Sequence, residues 1–195
     1  MLKPNPAAVT FLSQRRSRPA KLFKGPVPDR SQLRAILTSA LRVPDHGKLE
    51  PWRLIVLDRA AMQHLADLAE ARAVELGYGA QKIGKGRGQF DQGQLAVAVI
   101  SSPKGDLKPV LEQVASAAAL CMNLLNAAEA AGWGANWLTG WPAHDPQFVA
   151  RAFGCQAGET VVGIVHIGTP PEDGADRPRP DIDRVTTWPE DQAPA

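Results

Sequence analysis

Residues 108–134 read KPVLEQVASAAALCMNLLNAAEAAGWG, a segment rich in alanine and leucine with few charges along its middle. Its length and spacing predict one long helix that ends at the glycines following it. A helix that is apolar nearly all round is usually buried on most sides. The segment therefore predicts either the central helix of the domain or a helix at a subunit interface.

The flanking segments predict a small sheet covered by further helices. Apolar residues at helical spacing, with capping residues and glycine or proline stops, give four more helices. Short β-branched runs give the strands. The expected helices are 7–16, 28–43, 59–77 and 145–154; the expected strands are 52–58, 94–102 and 160–169, with a short strand or extended loop at 134–141. The strands do not alternate regularly with helices, so the fold class is α+β.

Composition limits the kinds of protein that this chain can be. A length of 195 residues suits a single domain, 1–195, whose Pro-rich polar arm begins at about residue 170 and has one apolar anchor near Trp188. The 22 basic and 20 acidic residues are mixed along the chain and leave a net charge of +2. This balance gives no reason to propose nucleic acid or a membrane surface as a partner.

The cysteines and the apolar runs indicate the cellular compartment of the protein. Cys121 and Cys155 are far apart and form no CxxC pair, so we expect reduced thiols and no metal site. The N-terminus lacks the apolar core of a signal peptide, and no uninterrupted apolar run approaches the roughly 20 residues that span a bilayer. We expect a soluble, cytoplasmic protein.

Residues 77–93 are rich in glycine and basic residues and contain the sequence GKGRG. No strand is expected directly before GKGRG and no helix directly after it, so it is not a phosphate-binding loop. The segment is predicted to be a mobile basic loop in which Lys82, Lys85 and Arg87 could attract a phosphorylated nicotinamide.

Three short stretches could carry chemistry. RRSRP, at 15–19, can clamp a phosphate with guanidinium groups and a hydroxyl, although basic residues also favour a solvated helix end. VPDHGKLEPW, at 43–52, can hold the edge of a flat ligand, or it can be an ordinary solvated loop. GWGANWLTGWPA, at 132–143, can line an aromatic ligand or form an aromatic core turn. No GxSxG elbow supports a hydrolase.

The order of these stretches resembles the nitroreductase family of flavin enzymes. The resemblance begins with RRSxR, a helix, and PDHGxLxPWR followed by a strand. It continues with an Ala-rich helix and GWGxxW, and ends with FGC and VVGIVHIGTP. It runs from about Phe11 to Trp188. It is strongest to the compact members that carry a Pro-Asp-His loop. The family implies a small mixed sheet covered by helices around the buried central helix.

The resemblance also implies a cofactor and the residues that hold it. Such proteins are homodimers with FMN at the subunit interface, so that each chain supplies part of each site. The RRS motif matches the residues around the ribityl chain and phosphate, the loop matches residues that cover the flavin from the partner, and WLT matches the stretch beside the flavin N5 edge. The implied cofactor-binding residues are Arg15, Arg16, Ser17, Arg42, Pro44, Asp45, His46, Lys48, Trp137, Leu138 and Thr139. Gly168 and Thr169 are implied to lie close to the site, and Arg184 could add charge for the phosphate.

The loop departs from the serine- and asparagine-containing version common in the family. Asp45, His46, Lys48 and Glu50 replace its polar uncharged residues. The charge of Lys48 would favour the reduced, anionic flavin, unless Glu50 neutralises it in an ion pair.

By resemblance, the function is that of an FMN-dependent NAD(P)H oxidoreductase of the nitroreductase type. NADH or NADPH would reduce the flavin by hydride transfer, and a nitroaromatic, quinone or similar acceptor would then take its place in a ping-pong cycle. No side chain need be a nucleophile, and His46 could deliver protons. The alternatives are a flavin-binding protein with other flavin chemistry, such as dehalogenation or flavin fragmentation, and one with little turnover.

Overall fold

The computed structural model describes residues 3–105, 108–172 and 176–189. Its sheet has the strand order β1-β2-β4-β3, and every pairing is antiparallel. The strands are β1 (Trp52–Leu57), β2 (Leu95–Ser101), β3 (Gly134–Leu138) and β4 (Thr160–Gly168).

Helices cover both faces of this sheet. They are α1 (Pro6–Gln14), α2 (Arg30–Ala40), α3 (Arg59–Glu75), α4 (Ala80–Asp91), α5 (Val110–Ala130), α6 (Trp141–His144), α7 (Pro146–Phe153) and α8 (Ile182–Val185), with a short 3-10 turn at Ala20–Leu22. Asp29 begins α2 with a capping box, and Gly154 ends α7 in a left-handed conformation. The α+β class is confirmed.

The sheet differs from the expected mixed one in the direction of its pairings. β2, α5 and β3 form a crossover unit, so β2 and β3 run in the same direction. They are not neighbours, because β4 lies between them and pairs antiparallel with both. The chain therefore contains parallel strands without containing a parallel pairing.

Two apolar cores lie on the two faces of the sheet. On one face α2 and α5 pack against β2 and β4, with Leu33, Leu120 and Val165 among the buried side chains. On the other face α3, α4 and α7 pack against the sheet through residues such as Met62 and Phe148.

The long helix α5 is buried on one side only. Leu120, Leu124 and Leu125 pack inside the domain, whereas Leu111 and Met122 on the other side are exposed. The prediction of a helix buried on most sides is therefore wrong for one chain, because the domain supplies packing partners for only one of its faces. By length and hydropathy alone α5 could span a bilayer, but its packed face makes it a core helix of this domain.

The glycine-rich segment is also not the predicted mobile loop. Most of it forms α4, which packs against α3. Glycine disfavours helix by about 1 kcal/mol per residue, but tertiary packing overrides this weak preference. At Gly86 the glycine is needed for packing, since a Cβ there would lie 2.4 Å from Nε1 of Trp141.

The predicted C-terminal arm is described in part. Residues 173–175 and 190–195 of it lie outside the described residues. In the described part, Arg179 donates a hydrogen bond to the carbonyl oxygen of Ser13, which brings the arm to the end of α1. The side chain of Trp188 is 46% exposed, so it is not the expected apolar anchor within one chain.

Candidate functional site

The three arginines of RRSRP lie in a pocket between the end of α1 and the C-terminal end of α5. Because α1 ends at Gln14, these residues follow on the non-helical segment that leaves it. The pocket has a volume of about 280 Å³. It is lined by Phe11, Gln14, Arg15, Arg16, Arg18, Glu129, Gly132, Trp133 and Pro170. The structure thus brings Arg15 and Arg16 together, as predicted, and adds Arg18.

Arg15 is held by a carboxylate that the sequence did not reveal. Its Nε lies 3.1 Å from Oε2 of Glu129, and its Nη2 lies 3.5 Å from Oε1, so the guanidinium meets the carboxylate with two nitrogens. Both side chains are largely buried, with exposures of 16% and 10%. Nη2 also lies 3.4 Å from Oγ of Ser17. Glu129 offsets the charge of Arg15, and Arg16 and Arg18 bring two further guanidinium groups to the same pocket.

Beside this pocket are buried polar atoms that lack a hydrogen-bond partner among the described residues. They include Nε of Arg18 and Oδ1 of Asn136. The other end of the Asn136 amide is fixed, because Nδ2 donates to the Arg18 carbonyl oxygen at 2.7 Å. A buried donor or acceptor without a partner costs about 1–3 kcal/mol. The site is therefore suited to a ligand that carries both acceptor and donor oxygens.

The loop at 43–51 is organised by Asp45. Its two carboxylate oxygens accept hydrogen bonds from the backbone N–H groups of Leu49 and Glu50, at 3.1 and 2.8 Å. These bonds hold a turn in which Gly47, Lys48 and Glu50 all have positive φ. Left-handed backbone at the two non-glycine residues costs about 1–2 kcal/mol each. Asp45 was predicted to bind cofactor, but within the chain its carboxylate positions the loop.

His46 extends from this loop to the first turn of α5. Its Nδ1 lies 2.6 Å from Oε2 of Glu112, and both side chains are about half exposed. The pair borders a pocket of about 390 Å³, and the floor of this pocket consists of small residues on α5. The lining is Pro44, Asp45, His46, Glu112, Ala115, Ser116 and Ala119.

Two other predicted residues of this region are exposed. Arg42 lies at the end of α2, where its carbonyl oxygen accepts a hydrogen bond from Asn123 at 3.2 Å. Lys48 and Glu50 project from the loop into solvent, and no ion pair joins them in the part of the chain that the structure describes. The charge of Lys48 is therefore not neutralised by Glu50.

The stretch WLT divides between core and surface. Nε1 of Trp137 donates to the Val162 carbonyl oxygen at 3.1 Å, and its ring lies over Gly163, so the indole is fixed by packing within the chain. Leu138 is half-buried at the end of β3. Thr139 is exposed and lines a third pocket, between the end of β3 and α4.

Gly168 and Thr169, at the end of β4, were implied to lie near the site, and both contact other residues of the chain. Phe23 packs against Gly168, and Oγ1 of Thr169 donates to the Pro26 carbonyl oxygen at 2.7 Å. Arg184, in α8, is exposed and does not line the arginine pocket.

A buried histidine lies on β4. His166 is 1% exposed, and neither ring nitrogen has a hydrogen-bond partner of normal geometry among the described residues. Burial lowers the pKa of His166 to about 4, and the nearby Gln89 backbone opposes this only slightly. A Cβ at Gly93 would lie 2.4 Å from its Nδ1, so the missing side chain at Gly93 gives the ring its space.

Within one chain the predicted site residues lie in separate places. Glu112 and Glu129 lie in the first and last turns of α5, about 25 Å apart at 1.5 Å per residue. The His46 loop contacts the first of these turns and the arginine pocket the last. The arginines of RRSRP share one pocket and the residues of the His46 loop line another, but these two pockets do not form one cavity.

Several residues of these pockets were missed by the sequence analysis. Glu112 and Glu129 are the only charged residues of α5, and their position at the two ends of an apolar helix was the available signal. Asn136 is next to Trp137 on β3, and nothing in the sequence around it marks it as a residue of the pocket. Arg18 was part of the quoted motif but not of the implied set.

The fold and the arginine pocket together define an α+β protein with three arginines clustered at the C-terminal end of its longest helix. The profile of the Nitroreductase family matches residues 12–169, and the chain belongs to this family of oxidoreductases. Members of the family are typically FMN-dependent and take NAD(P)H as electron donor. The family resemblance is thereby confirmed.

Individual relatives agree with the family assignment. The chain is 33% identical over 165 residues to the "Putative NAD(P)H nitroreductase" of Haemophilus influenzae, covering 83% of this chain and 88% of that protein. It is 32% identical over 164 residues to the "Putative NAD(P)H nitroreductase YdjA" of Escherichia coli K12, covering 84% and 88%. The crystal structure of a nitroreductase-like family protein from Bacillus cereus has the same fold, with a TM-score of 0.75, 22% identity, and coverage of 97% and 100%.

Proposed function

We propose that this protein is an FMN-dependent NAD(P)H oxidoreductase that reduces nitroaromatic, quinone or similar acceptors, and that it acts as a homodimer. The observation that carries the proposal is the arginine pocket, where three guanidinium groups lie beside buried polar atoms of Arg18 and Asn136 that lack a partner among the described residues. The family supplies the cofactor that this chemistry suits.

The residues of the pocket fit the phosphate end of FMN. Arg16 and Arg18 would donate N–H groups to phosphate oxygens, with the Ser17 hydroxyl beside them. The unpartnered Oδ1 of Asn136 would accept a hydrogen bond from a ribityl hydroxyl. When bound, FMN would supply the redox chemistry between NAD(P)H and the acceptor, and the residues of this pocket would hold its phosphate and ribityl chain.

The separation of the two predicted groups along α5 supports a shared site. If two copies pack their α5 helices antiparallel, the His46 loop of one copy lies beside the arginine pocket of the other. The exposed apolar side of α5, with Leu111 and Met122, is the surface that such packing would cover. Each chain then contributes to two identical sites.

Within the shared site the histidine–glutamate pair would handle a proton. The carboxylate of Glu112 accepts a hydrogen bond from Nδ1 of His46, which places the ring proton on that nitrogen and leaves Nε2 for the substrate side. Protonated at both nitrogens, His46 can donate from Nε2 to an acceptor that is being reduced. Glu112 is thus the positioning residue for this step.

An absorbance spectrum of the freshly purified protein tests the function first. We expect a flavin band that bleaches anaerobically when NADPH or NADH is added. If no flavin is present and none is retained after incubation with FMN, the proposal is overturned. A band that does not bleach with either donor would indicate a flavin-binding protein with other chemistry.

A subunit-mixing experiment tests the shared site. The variants Arg16→Ala and His46→Ala are each expected to weaken FMN binding, the first by about 1.5–3 kcal/mol. In heterodimers made by co-expression with two affinity tags, one site receives Arg16 from one chain and His46 from the other. We expect half of the sites to recover the affinity of the unmodified protein. If each chain contained its own complete site, no site in the heterodimer would recover.

A further inference from the structure

The pocket at the end of β3 has charged walls that the proposed cofactor contacts do not use. Its volume is about 520 Å³, the largest of the pockets named above. One wall comes from α4 and the other from the residues that follow β3. The lining residues are Gln81, Lys82, Lys85, Gln89, Thr139, Gly140 and Trp141.

Lys82 and Lys85 bring two positive charges to this pocket. They lie one turn apart on α4, and neither has a carboxylate within ion-pair distance in the ranges that the structure describes. Arg87 of the same helix differs, since it pairs with Asp67 at 2.8 Å and with Asp91 at 2.7 Å. The charge of the arginine is therefore compensated inside the protein, and the charges of the two lysines are not.

The aromatic side of the pocket is fixed by packing. Nε1 of Trp141 donates to the Lys82 carbonyl oxygen at 3.0 Å, and its ring meets the edge of Tyr78 at a centroid distance of 5.4 Å. Gly86 gives the indole its space on α4. Nζ of Lys82 lies 3.4 Å from the centre of the Tyr78 ring, which orders the ammonium group.

An amide completes the pocket. Oε1 of Gln89 is buried without a hydrogen-bond partner among the described residues, and the side chain lies against Gly140, where a Cβ would be 2.7 Å from its Cδ. The pocket therefore combines two lysines without a carboxylate partner among the described residues and a fixed aromatic wall, and the Gln89 oxygen could accept a hydrogen bond from a donor group elsewhere on a ligand.

We propose that this pocket binds the acidic substituent, a carboxylate or a phosphate, of the molecule that reacts at the cofactor. The proposal rests on the function proposed above, because Thr139 connects this pocket to the stretch that matches the flavin N5 edge. An anionic group of this kind has two sources: an aromatic acceptor that carries a carboxylate, or the additional phosphate that distinguishes NADPH from NADH. Lys82 and Lys85 are the residues that determine this specificity.

The test compares pairs of substrates of the holoenzyme that differ by one acidic substituent. One arm measures kcat/KM for 4-nitrobenzoate against 4-nitrobenzyl alcohol, and the other measures kcat/KM for NADPH against NADH. The variants are Lys82→Gln, Lys85→Gln and the double variant. Arg34→Gln is the matched control, since it removes one positive charge from an exposed position on another helix, outside the three pockets.

In the double variant we expect the ratio of kcat/KM for the substrate with the additional acidic group to that for its partner without it to fall roughly 10- to 100-fold in one arm, as for a lost charge-assisted contact. A fall for 4-nitrobenzoate identifies the acceptor as the source, and a fall for NADPH identifies the donor. Unchanged ratios in both arms, or an equal fall with Arg34→Gln, would overturn the proposal.

A binding measurement separates this proposal from the proposed function. The dissociation constants of 4-nitrobenzoate and of NADPH are measured by quenching of tryptophan fluorescence, without turnover, in the purified protein and in the double variant. Weaker binding of either anion in the double variant, and not in Arg34→Gln, supports the pocket even if the flavin band never bleaches. Equal binding of both anions in all proteins counts against it even if the flavin is active.

Discussion

The two ends of α5 make the same kind of contact in opposite surroundings. At the C-terminal end Glu129 holds Arg15 with both side chains largely buried, whereas at the N-terminal end Glu112 holds His46 with both about half exposed. Each glutamate is a charged residue at the end of an otherwise uncharged helix, and each meets a residue of a predicted cofactor-binding motif.

The difference lies in burial: the domain itself buries the arginine–glutamate pair and leaves the histidine–glutamate pair half exposed. At the buried end, packing by the domain itself restricts the guanidinium and the carboxylate. At the exposed end, a pocket of about 390 Å³ with small residues on its floor lies open beside the pair. In the homodimer proposed above, a second subunit would give the histidine end the burial that the arginine end already has.

The largest expected effect comes from removing the buried carboxylate. Glu129→Ala leaves the Arg15 charge largely buried without its partner, which should lower the free energy of unfolding by about 3 kcal/mol. Urea unfolding of the protein without FMN measures this as a lower midpoint at an unchanged slope. A loss below about 1 kcal/mol would show that the two ends do not differ in the way their burial indicates.

Protonation of His166 should have a smaller effect on the free energy of unfolding. This pH effect has to be measured before the Glu112 and Glu129 variants are compared at low pH. The unfolded His166 binds a proton below about pH 6.5, whereas the folded protein resists protonation until about pH 4. Between these values the unfolded state binds more protons, so stability falls as the pH falls. From pH 8 to pH 5 the loss should be about 2 kcal/mol, measured by urea unfolding.

The variant His166→Leu supplies the control for this pH effect. It removes the titrating group and keeps an apolar side chain at a fully buried position. We expect its stability to be nearly flat over the same pH range. An unchanged pH dependence in His166→Leu would assign the loss to another group.

The smallest expected effect comes from the exposed end. Glu112→Ala is the same substitution on the same helix as Glu129→Ala, but an exposed pair contributes only about 0–1 kcal/mol. Urea unfolding without FMN should therefore show at most that change. If Glu112→Ala proves as destabilising as Glu129→Ala, the exposed pair has a structural role and the comparison fails.

Much of the fold was predictable because it depends on local spacing. The strands at 52–58, 94–102 and 160–169 differ from β1, β2 and β4 by at most one residue at each end, and the helix expected at 145–154 is α7 together with its caps Asp145 and Gly154. The α4 helix was missed because glycine signals a loop locally, while the packing of Trp141 on Gly86 depends on a residue 55 positions away.

The sequence by itself determined the α+β class, the motifs and the family, since these depend on residue type, order and short-range spacing. Only the tertiary structure decided which charges are compensated. It pairs Arg15 with Glu129 and His46 with Glu112 across 114 and 66 residues, and it turns Asp45 back onto its own loop. Such contacts depend on how the helices and loops pack around the sheet, and no local pattern in the sequence records that packing.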